Sequence, residues 1–171
     1  MVQAENAIDM VYFGNPIFDM SVNDEERALM TKHGLDLGVA TLATPEQMCL
    51  YDEIWAREDK TTSPGGSALN SARAQKFASA SGSVAYFGCV GNDDKGRAMT
   101  EATTAAGVVS KLEVTEEEPT GTCGCIIVGK ERTLVANIAA AKKFSMAYLQ
   151  ANMVRIFLQY LISIANFLFN F

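Results

Sequence analysis

The sequence predicts an α/β protein in which helices flank a mostly parallel sheet, and three observations support that fold class. Strand-like and helix-like patterns alternate along the chain as far as Gly107, as they do in layered α/β folds. Residues 84–90 form a near-continuous apolar run, which is typical of a strand covered on both faces. Glycine-containing loops at residues 14–19 and 91–96 follow strand-like runs, and ligands bind at such carboxyl ends of parallel strands.

The composition favours one compact domain that binds small molecules. Of the 171 residues, 49% are hydrophobic and 20% are charged, so the chain can bury a sizeable core. A formal net charge of -6 and the lack of a Lys/Arg cluster argue against a nucleic-acid partner. Residues 1–9 show no basic stretch followed by an apolar run, so no signal peptide is predicted. A cytoplasmic location is the default expectation, with the nucleus as an alternative.

One strand and one helix are predicted before residue 35. Residues 10–13 are a short apolar run ended by Gly14-Asn15-Pro16, which predicts a buried strand that enters a loop. Residues 24–33 have a helical pattern, and Gly34 is a favourable residue just after a helix end. We therefore expect this helix to end at His33.

A second helix has a clear start signal at Thr44. Thr44 and Gln47 have the spacing of a capping box, and Pro45 suits the first helical position. The helix is predicted to continue to about Arg57. Its apolar residues fall on one stripe that we expect to face the core: Met48, Tyr51, Ile54 and Trp55.

A glycine pair, Gly65-Gly66, leads directly into an Ala-rich helix that is predicted to end near Gly82. Glycines allow positive φ and let a ligand lie against the main chain, while the first N–H groups of the helix are free to bind oxygen atoms. Ser67 and Asn70 project from one face of the first turn toward the same ligand. The alternative is an ordinary loop in which Ser67 is simply the N-cap.

Short β-rich runs follow the helix that ends at Gly107. They occupy residues 108–114, 122–128 and 133–138 and are separated by turn-like segments, which predicts antiparallel hairpins. Together with residues 17–22 we expect them to form a small antiparallel lid on the main sheet.

The cysteines and the one histidine carry no metal-site signature in the sequence. Four cysteines lie on apolar segments without CxxC spacing or companion histidines, so they are predicted to be reduced core thiols: Cys49, Cys89, Cys123 and Cys125. His33 is predicted to be a surface residue near a helix end.

Five blocks of residues follow one another in order over roughly residues 8–142. The blocks are Gly14-Asn15-Pro16 with Asp19; Gly65-Gly66-Ser67 to Asn70-Ser71; Phe87-Gly88-Cys89-Val90-Gly91 with Asp93 and Gly96; Pro119-Thr120-Gly121-Thr122-Cys123; and Leu134-Val135-Ala136-Asn137 with Ala139-Ala140-Ala141. In order and spacing, which are more specific than any single block, they resemble the adenosine kinase branch of the ribokinase-like (PfkB) carbohydrate and nucleoside kinases. The resemblance covers the amino-terminal part of such a kinase.

The resemblance implies an adenosine site. Asp19 would accept hydrogen bonds from the two ribose hydroxyls, helped by Asn15, the backbone of Gly66 and Asn70, with Ser67 alongside. A carboxylate suits a vicinal diol because its two oxygens meet two donors. Apolar positions around the nucleoside in the family correspond to Leu42, Cys123, Leu134 and Ala136.

The resemblance also implies phosphoryl transfer from MgATP to the 5′-hydroxyl of adenosine, giving AMP, as in purine salvage. Arg132 corresponds to an arginine that the family brings toward the transferring phosphate, where a cation offsets developing charge. The family's purine-contacting glutamine corresponds to Ala40 here, so base recognition is expected to differ.

The chain departs from the family pattern after Ala141. Family members continue to a Gly-Ala-Gly-Asp motif that supplies the general base and an anion hole, and this sequence contains no such motif. No general base is therefore predicted in this chain, and the ATP site would be largely missing. Since both contribute strongly to rate, we expect phosphoryl transfer by the chain alone to be slow. The alternative function is a non-catalytic product with a partial nucleoside-binding face or lid-mediated dimer contacts.

Two regions are predicted: residues 1–142, the amino-terminal kinase part with its lid strands, and residues 143–171, a divergent apolar helical tail. The tail has three interpretations, namely a helix packed on the sheet, a membrane anchor, or the altered end of a transcript. The last is favoured, and Arg155 and several amides argue against the anchor. Self-association is expected through an exposed sheet or the lid.

Overall fold

A computed structural model describes residues 8–79 and 81–153. In chain order its elements are β1 (Met10–Phe13), β2 (Ile17–Asn23), α1 (Ala28–Lys32), β3 (Ala40–Leu42), α2 (Cys49–Ala56), β4 (Thr61–Gly65), α3 (Ser67–Ala78), β5 (Val84–Gly91), α4 (Asp94–Ala105), β6 (Val109–Thr115), β7 (Thr122–Val128) and β8 (Glu131–Asn137). Two 3₁₀ turns lie at Pro45–Gln47 and Ala139–Lys143. In this part of the chain no helix is both long and apolar enough to cross a bilayer.

The first sheet is parallel and has three strands in the order β1-β5-β6. All eight residues of the central strand β5 are buried, as its apolar run predicted. Helix α3 packs on β1 and β5, and α4 packs on β5 and β6. The predicted α/β class is therefore confirmed. The first strand itself is only half-buried, contrary to the prediction, because it is at the edge of this sheet.

The second sheet has five strands in the order β3-β8-β7-β2-β4. Its β2/β4 and β7/β8 pairs are antiparallel, whereas its β2/β7 and β3/β8 pairs are parallel. The predicted antiparallel lid is therefore correct for the β7/β8 hairpin and wrong for the two parallel pairs. It is also wrong for residues 108–114, since β6 joins the first sheet, parallel to β5, after the crossover through α4.

The largest hydrophobic cluster runs from the second sheet, where α1 and α2 cover one face, to the first sheet, where α3 and α4 pack. The second sheet with α1 and α2 contributes Phe18, Met20, Val22, Leu29, Met30, Leu50, Tyr51, Ile54, Ile126 and Val135. The first sheet, its two helices and the residue before β6 contribute Leu69, Ala72, Val84, Tyr86, Val90, Met99 and Val108. A smaller cluster forms on the first sheet, where Ala85 and Phe87 pack against Phe144 and Tyr148. Residues 146–153 are helical, and the remainder of the predicted tail, 154–171, lies outside the described residues. The domain boundary at residue 142 stays a prediction.

Helix α1 is shorter than predicted because a carboxylate upstream caps it. Asp24 accepts hydrogen bonds from the backbone N–H groups of Ala28, Leu29 and Met30 at 3.0–3.2 Å, so the helix begins at Ala28. Other helix boundaries differ too. Helix α2 begins at Cys49 after the 3₁₀ turn at Pro45–Gln47, whereas the sequence predicted a start at Pro45. Helix α3 ends at Ala78 before reaching Gly82, and α4 begins inside the predicted loop.

The capping box before α2 is confirmed, since the backbone N–H of Thr44 donates to the Gln47 side chain at 3.0 Å. The predicted apolar stripe is only half correct. Tyr51 and Ile54 are buried with Leu50, but Met48 is 41% exposed and Trp55 is 48% exposed. The buried face is therefore centred between Leu50 and Ile54, about one residue away from the predicted stripe.

Two further predictions about single residues are wrong. Cys49 is exposed at the start of α2, while the other three cysteines are buried as predicted. His33 is buried rather than at the surface, because the segment after α1 folds back against α2. Gln47 fixes this segment by donating to the backbone carbonyl of His33 at 2.9 Å.

Asp93 ties the end of β5 to the segment that leads into β7. Its carboxylate accepts from the backbone N–H of Gly96 at 2.7 Å, from the backbone N–H of Thr120 at 2.8 Å and from the Thr120 hydroxyl at 2.6 Å. Burial alone would raise the pKa of Asp93, but these hydrogen bonds outweigh it and hold the pKa below its usual value. The carboxylate is thus a structural cross-link in its ionised form.

Asp93→Ala is expected to lower the free energy of unfolding by about 2–3 kcal/mol, because buried donors lose a charged acceptor. Asp94→Ala, which removes an exposed neighbouring carboxylate paired with Arg97, should change it by less than about 1 kcal/mol. A native pKa below the unfolded value of about 3.9 means that the Asp93 contribution is complete above that pH and is lost as pH falls through the native pKa. Urea unfolding at neutral and acidic pH tests this, and equal effects of the two substitutions would contradict it.

Candidate functional site

The register of the second sheet aligns one residue from each of its five strands. Paired residues on neighbouring strands point to the same face, so these five side chains form a continuous line across the sheet. We call this line the Asp19 row, and it consists of Leu42, Ala136, Cys123, Asp19 and Ser63. Four of its five members were predicted from the sequence as substrate-binding residues.

A parallel row lies two residues further along the strands on the same face. It contains Leu134, another predicted residue, with neighbours from the other strands: Ala40, Cys125, Ser21 and Thr61. Arg132 follows on this face because strand residues alternate with a period of two. The other face is covered, since Val135 is fully buried and Gly124 contacts Ile54 of α2. Among the described residues, it is the face with the Asp19 row that stays open to a ligand.

Asp19 is half-buried on β2, one strand in from the β4 edge of this face. Burial raises the pKa of Asp19, and the positive charge of Arg132 opposes that effect only in part. Within residues 8–79 and 81–153 no group donates a hydrogen bond to its carboxylate. A carboxylate in this state lacks the donors that a buried anion requires, so it is suited to receive them from a ligand.

The absence of a side chain at Gly65 leaves room for the Asp19 carboxylate. A Cβ at Gly65 would lie 2.1 Å from Oδ2 of Asp19, so only a glycine permits this approach of β4 to the carboxylate. Gly65 belongs to strand β4 and does not have the positive φ that was predicted for both glycines of the pair. Its role is therefore to create space rather than to form the turn.

Gly66 makes the turn into α3 and contacts the loop after β1. Its φ is +98°, and a Cβ there would lie 2.4 Å from the backbone oxygen of Asn15. Gly66 is itself the N-cap of α3, so the alternative in which Ser67 is the cap is wrong. The contact places Asn15 next to Gly66. Asp19 lies near both because β2 follows Asn15 and pairs with β4, which precedes Gly66.

The predicted polar residues Asn15, Ser67 and Asn70 are all exposed next to this corner. Among the described residues their side chains take part in no hydrogen bond, so their polar groups are free to contact a ligand. Asn70 uses its backbone N–H to bond the Gly66 carbonyl at 3.0 Å, which starts the helix.

The apolar part of the site surrounds a neutral thiol. Burial, followed by the negative charge of Asp19, raises the pKa of Cys123 to about 12, so this thiol is protonated at neutral pH and behaves as a small apolar group. Leu42 is 58% exposed on the edge strand β3, and Leu134 and Ala136 are half-buried beside it on β8. An exposed leucine next to half-buried residues forms an apolar surface beside the Asp19 carboxylate.

Sequence reasoning missed the polar and thiol groups that share this face. Ser63 pairs with Asp19 across β4 and β2, and Cys125 is next to Cys123 along the same side of β7. No motif pointed to them, because a residue's place on this face depends on strand register, which the local pattern does not contain. The alternation within each run was the only signal that could have suggested them.

Beside the Asp19 row the described residues bring no three His, Cys, Asp or Glu ligand atoms together. The one group of three His, Cys, Asp or Glu ligands in residues 8–79 and 81–153 contains a thiol and an imidazole, whereas Mg²⁺ prefers oxygen ligands in octahedral geometry. Both oxygens of Asp93 are held by hydrogen bonds, so this carboxylate is not free to act as a general base.

A family model and the curated relatives both relate this chain to kinases. The model of the pfkB family carbohydrate kinases matches residues 39–167. The adenosine kinase of Schizophyllum commune is 38% identical over 141 residues, which are 82% of this chain and 41% of that protein. The adenosine kinase of Dictyostelium discoideum is 38% identical over 144 residues, 84% of this chain and 42% of that protein. The chain thus spans about two fifths of the length of these relatives.

Solved structures agree with this. The apo adenosine kinase of Trypanosoma brucei brucei superposes with a TM-score of 0.80 at 31% identity, covering 89% of this chain and 47% of that one. The Anopheles gambiae adenosine kinase in complex with P1,P4-di(adenosine-5) tetraphosphate superposes with a TM-score of 0.80 at 33% identity. The superposition covers 88% of this chain and 45% of that one. The expectation of a ribokinase-like fold is confirmed.

Proposed function

This chain belongs to the pfkB family of carbohydrate kinases, and from that premise we propose that it carries the nucleoside-binding part of an adenosine kinase-like phosphotransferase. Adenosine is the proposed acceptor, and AMP is the proposed product. The relatives that cover most of this chain are named adenosine kinases, which supports the assignment of the substrate.

The observation that carries the proposal is the unpaired, half-buried carboxylate of Asp19 beside the Gly65-Gly66 backbone. The vicinal diol of a ribose offers two donors to its two oxygens. Asn15 and Asn70, exposed at the same corner, are proposed to bind the hydroxyl oxygens as donors. A ligand without these hydroxyls leaves the carboxylate unpaired, so the site favours ribonucleosides over deoxyribonucleosides.

We propose that the base lies on the apolar surface formed by Leu42, Cys123, Leu134 and Ala136. Ala40, next to Leu134 in register, has no polar side chain with which to read the edge of a purine. Apolar contact is therefore proposed to supply affinity for the base, while the ribose contacts supply most of the specificity.

Arg132 is proposed to face the transferring phosphate, since its exposed guanidinium lies on the ligand face and acts on Asp19 electrostatically. ATP as the donor is supported by membership of a kinase family. The described residues beside the Asp19 row hold no group of three ligand atoms for a metal ion, so we derive no step through Mg²⁺. What these residues offer is binding and orientation of the acceptor, with one cation beside it.

Calorimetry with the 171-residue chain tests the proposed ribose recognition. We expect adenosine to bind and 2′-deoxyadenosine or 3′-deoxyadenosine each to bind roughly tenfold to a hundredfold more weakly, because a hydrogen bond to a charged acceptor contributes about 1.5–3 kcal/mol. Adenine alone serves as the control for contacts to the base. Equal affinities for adenosine and both deoxynucleosides would rule out this assignment.

A second candidate function is nucleoside binding without catalysis. It is favoured by the hydrogen-bonded state of Asp93 and by the absence, among the described residues, of a motif for a base near the 5′-hydroxyl. Labelled adenosine with MgATP separates the two candidates. AMP formation that is proportional to the chain and lost in Asp19→Ala supports the phosphotransferase, whereas adenosine binding without AMP formation supports the binding protein.

A further inference from the structure

We propose that a soft divalent metal ion such as Zn²⁺ binds between α1 and α2, held by His33, Cys49 and Glu53. We call these three residues the His33 cluster. One ligand atom from each, the imidazole nitrogen, the thiol sulfur and a carboxylate oxygen, lies within 4.8 Å of the other two. The cluster shares no residue with the Asp19 row, so this proposal does not rest on the proposed kinase function.

The local structure explains how the three side chains meet. Cys49 and Glu53 are four residues apart on α2, so both project from the same face of the helix. His33 is the C-cap of α1, and the hydrogen bond from Gln47 to its carbonyl holds it against the start of α2. The imidazole therefore faces the Cys49–Glu53 side of the helix.

His33 supplies the observation that points to a ligand. Its side chain is 4% exposed, and its Nε2 forms no hydrogen bond within the described part of the chain. Oε1 of Glu53 lies 3.4 Å from this nitrogen, at ion-pair distance but without hydrogen-bond geometry. A buried imidazole nitrogen without a hydrogen-bond partner is unusual, and a metal ion placed between Nε2 and the carboxylate would satisfy it.

The donor set selects the class of ion. Nitrogen, sulfur and oxygen donors together suit Zn²⁺ and related first-row ions, whereas Mg²⁺ and Ca²⁺ take oxygen ligands alone. Cys49 is exposed, so solvent can supply a fourth ligand. Binding converts the Cys49 thiol to a metal-bound thiolate, and the released proton passes to solvent.

One cation already competes for the cluster. Lys32 lies 2.9 Å from Oε1 of Glu53, with its side chain 62% exposed. A flexible, exposed lysine can move into solvent when a divalent ion takes its place, since an exposed ion pair adds little stability. The metal would then link the end of α1 to the start of α2.

A metal ion that links α1 to α2 would stabilise the second sheet, because α2 packs on the covered face of that sheet. Helix α2 contacts Gly124 of β7 through Ile54, and its Tyr51 hydroxyl donates to the Val135 carbonyl of β8 at 3.1 Å. Both strands carry Asp19-row residues on the opposite face. Metal binding is therefore expected to raise the thermal stability of the chain without contacting the nucleoside.

The test uses the reduced, chelator-treated 171-residue chain titrated with Co²⁺ as a spectroscopic probe. We expect one Co²⁺ per chain, a near-ultraviolet thiolate-to-metal charge-transfer band, loss of that band when Zn²⁺ is added, and a higher midpoint of thermal unfolding with Zn²⁺. Cys49→Ser should abolish the band, and His33→Gln and Glu53→Gln should each weaken binding roughly tenfold or more.

Matched controls separate this site from general metal binding. Glu46→Gln changes an exposed carboxylate just before α2, and Cys89→Ala removes a buried thiol on the first sheet; both should bind Co²⁺ as the unmodified chain does. Circular dichroism checks the fold of each variant, and Cys49→Ser, at an exposed position, keeps the test valid if His33→Gln unfolds. No charge-transfer band in the unmodified chain, or a band that persists in Cys49→Ser, would overturn the proposal.

Discussion

Asp19→Asn and Asp19→Ala are each expected to weaken adenosine binding by at least about a hundredfold. Two hydrogen bonds to a charged acceptor contribute about 1.5–3 kcal/mol each before relaxation, and an amide cannot accept both donors as a carboxylate does. Asn70→Ala should have a smaller effect, because an exposed amide contributes only a neutral hydrogen bond. Calorimetric titration of each variant with adenosine measures these differences.

Asp19→Asn is expected to leave the fold as stable as before, or to stabilise it. Burial places the native pKa of Asp19 above its unfolded value, so the neutral form is the one that folding favours. For this sign of shift, the contribution to stability is present below the unfolded pKa and is lost as pH rises through the native pKa. At neutral pH the ionised Asp19 therefore costs stability, and Asp19→Asn recovers about 1 kcal/mol or less, since the group is only half-buried.

Opposite effects on binding and stability distinguish a functional carboxylate from a structural one. Asp93 provides the contrast within the same chain, because its carboxylate accepts three hydrogen bonds and its removal should destabilise the fold. Asp52→Asn, at an exposed position on α2, is the matched control and should change neither quantity much. Unchanged adenosine affinity in Asp19→Asn would move the nucleoside site elsewhere.

The sequence predicted the location of most elements but not which strands pair. The fully apolar run of β5 and the capping box before α2 are local signals, and both are confirmed. The run that became β6 has the same short β pattern as β7 and β8, yet it pairs in parallel with β5. The pairing of β6 is decided by the crossover through α4, which returns the chain to the first sheet. The residues of a short β-rich run do not indicate which strand it will pair with.

The candidate site shows the same limit. Asp19, Gly66 and Asn70 could be singled out because motif blocks contain them, whereas Ser63 and Cys125 depend on register. His33 and Cys49 were misplaced for a related reason, since they meet only because the segment after α1 packs against α2. Sixteen positions separate them in the chain, and neither lies in a recognised metal-binding spacing.

Gly66→Ala is expected to lower the free energy of unfolding by about 2–6 kcal/mol, which is a large part of the stability of a typical domain. A side chain at φ +98° and ψ 133° is in a sparsely populated backbone region, which costs about 1–3 kcal/mol, and forcing atoms into filled space costs about 1–3 kcal/mol more. The atom that the new Cβ would meet, at 2.4 Å, is the backbone oxygen of Asn15, which has no side-chain freedom to move aside. Urea unfolding measures the loss.

Two other glycines separate the causes of that loss. Gly129 also has a positive φ, +59°, but nothing lies within 4 Å of the position of its Cβ, so Gly129→Ala should show the backbone strain alone, about 1–2 kcal/mol. Gly65 lacks positive φ, and its Cβ would meet the movable Asp19 carboxylate, so Gly65→Ala should reduce adenosine affinity more than stability. If Gly66→Ala costs no more than Gly129→Ala, the close contact between Gly66 and Asn15 does not hold the β1 loop to the start of α3. The assignment of Asn15 to the proposed nucleoside site would then fail, whereas that of Asp19 would stand, because the pairing of β2 with β4 positions Asp19.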